Sequence, residues 1–468
     1  VNWLKNLAWW LLLLPCRLPA GFDSQWYRRR YPDVAQSGTW PSVHYRRFGQ
    51  EEQRDPGPTS SGSSGWLHSE CGVEGGVPML QGAKALISGA RTLVFVGHQA
   101  GPQLFGAERS LRDLVQATQA LVLNVFVLLP EGRNPGYVKD LASLCCGVKI
   151  IPYGWWQADR APHPKTIEQV VAFYEHVGAS AVYVNTLTLD EPLVAATEVA
   201  LPVAVHIRET LLFDPELSGR LRANQNLVEC RLSRLATLVV ANSRFTAEIS
   251  GFQKALVVPN GLDVEPYKTL VPGFQQNSGV FTVGMVSSNT PKKGLLDFVD
   301  LARLLSDSDA IRCLLVGPET EDVKVLKARQ AKGEIPDNLV FGGYVESPLT
   351  ALANMDVLVS LSHVKETFGR TVLEAMAAGR VVVAYRQGAI PEMVRHDETG
   401  ILVQPEDVGS VASAVRSLRA DRARYHDLAR SARETACEYD TEHFNARIKQ
   451  ALEALTSGSI AFQEKDAT

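Results

Sequence analysis

The chain has 468 residues, more than one hydrophobic core normally serves, so two domains of ordinary size with additional segments are expected. Its 47 Lys and Arg against 51 Asp and Glu leave a formal net charge of −4, which removes a general basic field and with it the charge-based case for a nucleic-acid partner. The seven cysteines, Cys16, Cys71, Cys145, Cys146, Cys230, Cys313 and Cys437, are scattered and never form a Cys-x-x-Cys pair, which argues against a disulfide framework or a zinc site and fits a reducing, cytoplasmic compartment.

Residues 1–20 carry the apolar run Leu7-Ala-Trp-Trp-Leu-Leu-Leu-Leu14, well short of the roughly 20 apolar residues that a membrane-crossing helix needs. Lys5 before it and Pro15-Cys16 after it suit a signal-peptide core, but no small-x-small cleavage site follows directly. Two further readings stay open: a helix lying on a membrane surface with Trp3, Trp9 and Trp10 at headgroup level, or a helix docked on the protein itself. Residues 21–57 are dense in aromatics and arginines and are broken by Pro32, Gly38, Pro41 and Gly49 into short helical pieces, an N-terminal helical extension. Residues 58–88 read as a linker because Gly57-Pro-Thr-Ser-Ser-Gly-Ser-Ser-Gly65 is flexible by composition.

From 89 to 265, short β-branched runs such as Leu93–Val96, Val125–Leu128, Ala181–Val184 and Val203–His206 alternate with helix-length segments. That alternation predicts a parallel, doubly wound α/β domain. After the turn at Pro259-Asn-Gly-Leu-Asp263 the same architecture restarts and fills 275–430, with runs at Phe281–Met285, Ile311–Val316, Val357–Ser360 and Val381–Ala384. A last helical stretch, 431–456, is expected to cross back toward the first domain. Ligands of open parallel sheets bind at the carboxyl ends of strands, so catalysis belongs in the cleft between the two domains.

The chemistry concentrates in Lys365-Glu-Thr-Phe-Gly-Arg-Thr-Val-Leu-Glu-Ala-Met-Ala-Ala-Gly379, a loop and helix between two buried strands. Gly369 lets the backbone approach a ligand, and free N–H groups near Gly369 and Arg370 at a helix start can hold a diphosphate. Glu366 and Glu374, with Phe368-Gly369 between them, resemble the Glu-x7-Glu motif of glycosyltransferase family 4, the retaining group on the GT-B fold of two facing Rossmann-like domains. Lys293-Gly294, Leu315-Val-Gly317, Phe341-Gly-Gly-Tyr344, Gly388-Ala-Ile-Pro-Glu392 and Thr399-Gly-Ile-Leu402 follow the order of that family. The 21–57 pattern likewise resembles a short segment of bacterial surface-polysaccharide glycosyltransferases.

By this resemblance Glu366 contacts the donor sugar near the reacting centre, Glu374 accepts hydrogen bonds from ribose hydroxyls, and Lys293 neutralises the donor diphosphate. Phe368, Gly369 and Arg370 belong to the same nucleotide-sugar site. Ser288 falls where the family has an arginine, which leaves part of the expected positive charge missing, with Lys292 or Arg370 as substitutes. Gly106, in Phe105-Gly-Ala-Glu-Arg-Ser110, matches the glycine-rich first loop, and His206, at a strand end, matches the active-site histidine. Glu209 is a second residue there, and Asn242-Ser-Arg-Phe-Thr-Ala-Glu248 reads equally well as helix capping or as part of an acceptor site. Asp307-Ser-Asp309 reads as a solvent turn, and no metal or other cofactor is expected.

The implied function is transfer of a sugar from a nucleoside diphosphate sugar to a glycan or lipid-linked acceptor in surface polysaccharide biosynthesis, in the cytoplasm or at the inner face of the cell membrane. A nucleotide-sugar epimerase on the same fold and a non-catalytic subunit of a polysaccharide assembly complex are the alternatives.

Overall fold

The computed structural model describes residues 79–457 other than 102–103, 105, 253, 271–278 and 309, together with Tyr27, Tyr31, Val34 and 41–45. The apolar segment 1–20, residues 58–78 of the linker, most of the 21–57 extension, Phe105 and Asp309 lie outside the described residues. Contacts divide the chain into two units, Val1–Gly72 and Val73–Thr468. In the first unit Tyr27, Tyr31, Val34 and Tyr45 form a small buried cluster, with the Tyr27 ring edge-on to Tyr45 at 5.5 Å and its hydroxyl 3.4 Å from Nδ1 of His44.

The second unit holds two sheets. The first takes β1 (Leu80–Gln81), β2 (Arg91–Val96), β3 (Leu123–Leu129), β4 (Gly147–Ile150), β5 (Ala179–Val184), β6 (Val203–Ile207), β7 (Leu238–Ala241) and β8 (Leu256–Val257) in the order β1-β4-β3-β2-β5-β6-β7-β8. β1 pairs antiparallel with β4, and the other pairings are parallel. The second sheet takes β9 (Phe281–Val286), β10 (Ile311–Val316), β11 (Leu339–Gly343), β12 (Val357–Ser360), β13 (Val381–Tyr385) and β14 (Ile401–Val403) in the order β11-β10-β9-β12-β13-β14, all parallel. Helices cover both faces, so central strands such as β13 are buried on every side chain and read as unbroken apolar runs.

In each sheet the strand order reverses once, at β2/β5 and at β9/β12. Loops leaving neighbouring strands diverge at such a point and open a crevice at the carboxyl ends.

The chain crosses between the sheets twice, side by side. At Pro259–Asp263 the Leu262 N–H donates to the Tyr439 carbonyl at 2.9 Å, and Gly261 is pressed so close to the Phe444 side chain that a Cβ there would lie 2.6 Å from it. The helix Arg422–Ala436 packs Tyr425, Leu428 and Ala429 on the second sheet, whereas the helix Thr441–Ser457 lays Phe444, Ile448, Ala451, Leu452 and Leu455 into the core of the first.

Two expected boundaries are corrected. Residues 79–88 do not belong to a linker: β1 adds an edge to the first sheet, and at two residues it is too short to show a periodicity. The division at 430/431 falls inside the Arg422–Ala436 helix, whose apolar stripe continues without a break into the second domain's core. The described cysteines, Cys145, Cys146, Cys230, Cys313 and Cys437, are free thiols.

Candidate active site

A cavity of about 430 Å³ opens between the two sheets. Leu104, Gly106 and Arg109 line it from the first domain, and the loops after β9, β10, β11 and β12 line it from the second.

The loop after β9 contributes Ser287, Ser288 and Lys293. It turns at Gly294, whose φ is +79° and where a Cβ would sit 1.9 Å from the Leu361 carbonyl oxygen, so only glycine allows this loop to press against the one after β12. Lys293 thereby faces Glu366, with Nζ 2.6 Å from Oε1. Gly369, at φ +92° and packed on Ile390, starts the helix Arg370–Ala377, which directs its positive end at the cavity.

Glu374 sits one turn into that helix, 2% exposed. Its Oε1 accepts a hydrogen bond from Arg109 Nη1 of the opposite domain at 3.2 Å and lies 3.6 Å from Arg370 Nε. Burial raises the Glu374 pKa above the ordinary carboxylate value, and Arg370 and Arg109 oppose that rise by favouring the charged form. Arg370 Nη2 in turn donates to Asp113 of the first domain at 2.8 Å.

Seven of the residues expected from sequence, Glu366, Lys293, Ser288, Gly369, Arg370, Glu374 and Gly106, therefore line one cavity. Two do not. His206 is fully buried behind Arg208, and its Nδ1 accepts from Arg208 Nη2 at 3.1 Å and lies 3.0 Å from the Tyr183 hydroxyl. Burial, with the Arg208 charge added, pushes its pKa well below the ordinary value, so it is a neutral core imidazole that does not touch the cavity. Phe368 is 4% exposed and its ring packs edge-on to Tyr439 at 6.0 Å, anchoring the loop from below instead of facing a ligand.

Sequence reasoning missed Arg109 as a cavity cation. Its signal was its place three residues after Gly106, one turn into the helix Gly106–Ala117, but its partner on the other domain is not visible in sequence. Lys292 is occupied elsewhere, with Nζ 3.0 Å from Glu216 and 3.4 Å from Asp214, and Arg109 and Arg370 are the cations that accompany Lys293. Asp307 pairs with Arg416 on the surface, and no group of three or more His, Cys, Asp or Glu is placed to hold a metal ion among the described residues.

Two family models match in succession, a glycosyl transferase 4-like domain over 105–261 and glycosyl transferases group 1 over 270–435, one on each sheet. The chain belongs to the group 1 glycosyl transferases. Similar curated relatives include N-acetyl-alpha-D-glucosaminyl L-malate synthase of Bacillus anthracis, 34% identical over 29% of this chain and 35% of that protein. Phosphatidyl-myo-inositol mannosyltransferase of Mycolicibacterium smegmatis is 28% identical over 46% of this chain and 55% of its own length. The chain thus spans about a third to a half of these relatives. Among solved structures, Anabaena HepE in complex with UDP superposes with a TM-score of 0.64 at 21% identity, covering 78% of this chain and 100% of that one, which establishes the GT-B fold. No helix among the described residues is long and apolar enough to cross a membrane.

Proposed function

We propose that this group 1 glycosyl transferase moves a sugar from a nucleoside diphosphate sugar to a hydroxyl of a glycan or lipid-linked glycan, with retention at the anomeric carbon and without a metal, in surface polysaccharide synthesis at the inner face of the cell membrane. The observation that carries the reading is the cavity between the sheets, where Lys293, Arg109 and Arg370 stand beside Glu366 and Glu374.

Each group has a task in that chemistry. The buried Glu374 carboxylate offers two acceptors to the vicinal hydroxyls of a ribose. Lys293 and the N–H groups at the start of the Arg370 helix stabilise the negative charge that grows on the departing diphosphate as the bond to the sugar breaks. Glu366, held by Lys293, orients the sugar. The acceptor hydroxyl attacks from the face the diphosphate leaves, and its proton passes to the leaving phosphate oxygen, so no carboxylate nucleophile is needed. The arginines and Lys293 perform the charge neutralisation that a divalent cation performs in other transferases. Anabaena HepE, solved with UDP and with UDP-glucose, makes uridine sugars the first donors to try.

The test is binding and hydrolysis of a panel of UDP, GDP and ADP sugars by wild type, Glu374→Ala and Lys293→Ala. Selective binding of one donor that both substitutions weaken supports the reading. A free epimerised sugar nucleotide formed without acceptor identifies an epimerase instead, and donor binding without turnover on any acceptor identifies a non-catalytic subunit.

A further inference from the structure

The Glu366 loop is tied to the opposite domain by two side chains that do not line the cavity. Thr367 Oγ1 donates to the Arg208 carbonyl at 2.6 Å and accepts from Asn242 Nδ2 at 3.3 Å, and the Thr367 carbonyl accepts from Thr246 Oγ1 at 3.2 Å. Glu392 reaches the same segment: its carboxylate accepts from the Arg244 N–H at 3.0 Å and from the Phe245 N–H at 2.7 Å. The Glu392 turn and the Glu366 loop are themselves one block, because the Ala389 N–H donates to the Glu366 carbonyl at 2.8 Å and Gly388 is pressed against the Glu366 backbone, where a Cβ would lie 2.4 Å from its carbonyl oxygen. Glu366 is therefore held from both sides against residues 242–246 of the first domain.

We infer that Thr367 and Glu392 are positioning residues for Glu366, docking its loop on Asn242–Thr246 when the two domains close. This rests on the transferase reading and adds to it a division of labour. Affinity for the donor nucleotide comes from the cavity lining, whereas the placement of Glu366 at the sugar comes from contacts with the other domain. The sequence Asn242-Ser-Arg-Phe-Thr246 then does more than cap a helix. Ser243 does cap the helix that follows, accepting from the Thr246 N–H at 3.0 Å, while Asn242 and Thr246 hold Thr367.

The experiment compares wild type, Thr367→Val, Thr367→Ser and Glu392→Ala in donor binding, turnover and hydrogen exchange by mass spectrometry. A loop displaced by about 1 Å costs on the order of a hundredfold in rate. The expected result is a fall in kcat of roughly ten- to a hundredfold for Thr367→Val and Glu392→Ala, with donor Kd within about threefold of wild type and Thr367→Ser close to wild type. Exchange in Glu392→Ala should quicken both in the peptide covering 242–250, where the carboxylate binds, and in the one covering 362–370, where it does not. Faster exchange confined to 242–250, unchanged kcat, or donor affinity falling in step with kcat would each overturn the inference. If wild type binds no nucleotide sugar the transferase reading fails, and the exchange of 362–370 still decides whether Glu392 holds that loop.

Discussion

At the scale of single residues, the cavity balances three cations against two carboxylates, and each cation is in contact with one of them. Lys293 and Glu366 share a hydrogen bond of 2.6 Å at positions 30% and 23% exposed, so the lysine is held at the cavity without being locked away. Removing it as Lys293→Ala should weaken binding of a nucleoside diphosphate by about 1.5–3 kcal/mol, the range for a charge-assisted hydrogen bond, and leave binding of the bare nucleoside unchanged in calorimetry. His206 makes a different prediction, about stability. Its folded pKa lies well below 6.5, so as pH falls through 6.5 the unfolded chain takes up a proton that the folded chain refuses, and stability that is complete above that pH is lost below it. His206→Asn should flatten the acid limb of a denaturation-midpoint profile, whose slope from this residue is at most about 1.4 kcal/mol per pH unit. An unaltered profile would place its titration elsewhere. The chemical residues were legible because glycine, lysine and glutamate stood at spacings that a strand, loop and helix turn into one site. His206 and Phe368 were not, since a residue at the end of a strand or beside a loop glycine has two directions to point and its number does not say which.

At the scale of elements, the strands were readable because each is buried on both faces and so appears as a run of β-branched residues, as Val381-Val-Val-Ala-Tyr385 shows. Their sheet order was not, because every parallel strand carries the same pattern. The helix Thr441–Ser457 is different: its crossing back toward the first domain was expected from the sequence, and its side chains enter the core of the first sheet, nearly 200 residues or more upstream. Ile448 is fully buried there, and Ile448→Ala should cost about 2–5 kcal/mol, measured by chemical denaturation. Because this helix closes the first domain, the loss should appear in the unfolding of that domain. Gly294 is the element-scale counterpart in the second domain. Gly294→Ala would drive a methyl group into the Leu361 carbonyl and force an alanine to a φ of +79°, so both stability and donor binding should fall.

At the scale of the whole second unit, the domains meet through several polar contacts. Arg109–Glu374 and Arg370–Asp113 involve cavity-lining residues, and Lys292 with Asp214 and Glu216 and the Thr367 and Glu392 contacts involve residues that do not line the cavity. A ligand that binds only this closed arrangement stabilises it by mass action. UDP at a hundred times its Kd should raise the unfolding free energy by about 2.7 kcal/mol in wild type, and the shift at that same concentration should shrink sharply in Glu374→Ala. Thermal shifts across a nucleotide series measure this directly.

What the sequence determined by itself is the local part of this protein: two successive α/β domains, the loop and helix from Lys365 to Gly379 that line the cavity, and the family to which that ordered set of motifs points. The domains and the loop follow from periodicity and turn chemistry, which act over a few residues, and the family follows from the resemblance of the ordered motifs to it. What only the tertiary structure decided is which residue faces which. Arg109 meets Glu374 across 265 positions of sequence and Thr367 meets Arg208 across 159, and such pairings arise from two sheets closing on each other. A closure of that kind leaves no mark at either partner's own position, which is why Arg109 was passed over and why Thr367 and Glu392 stood in familiar motifs without a role.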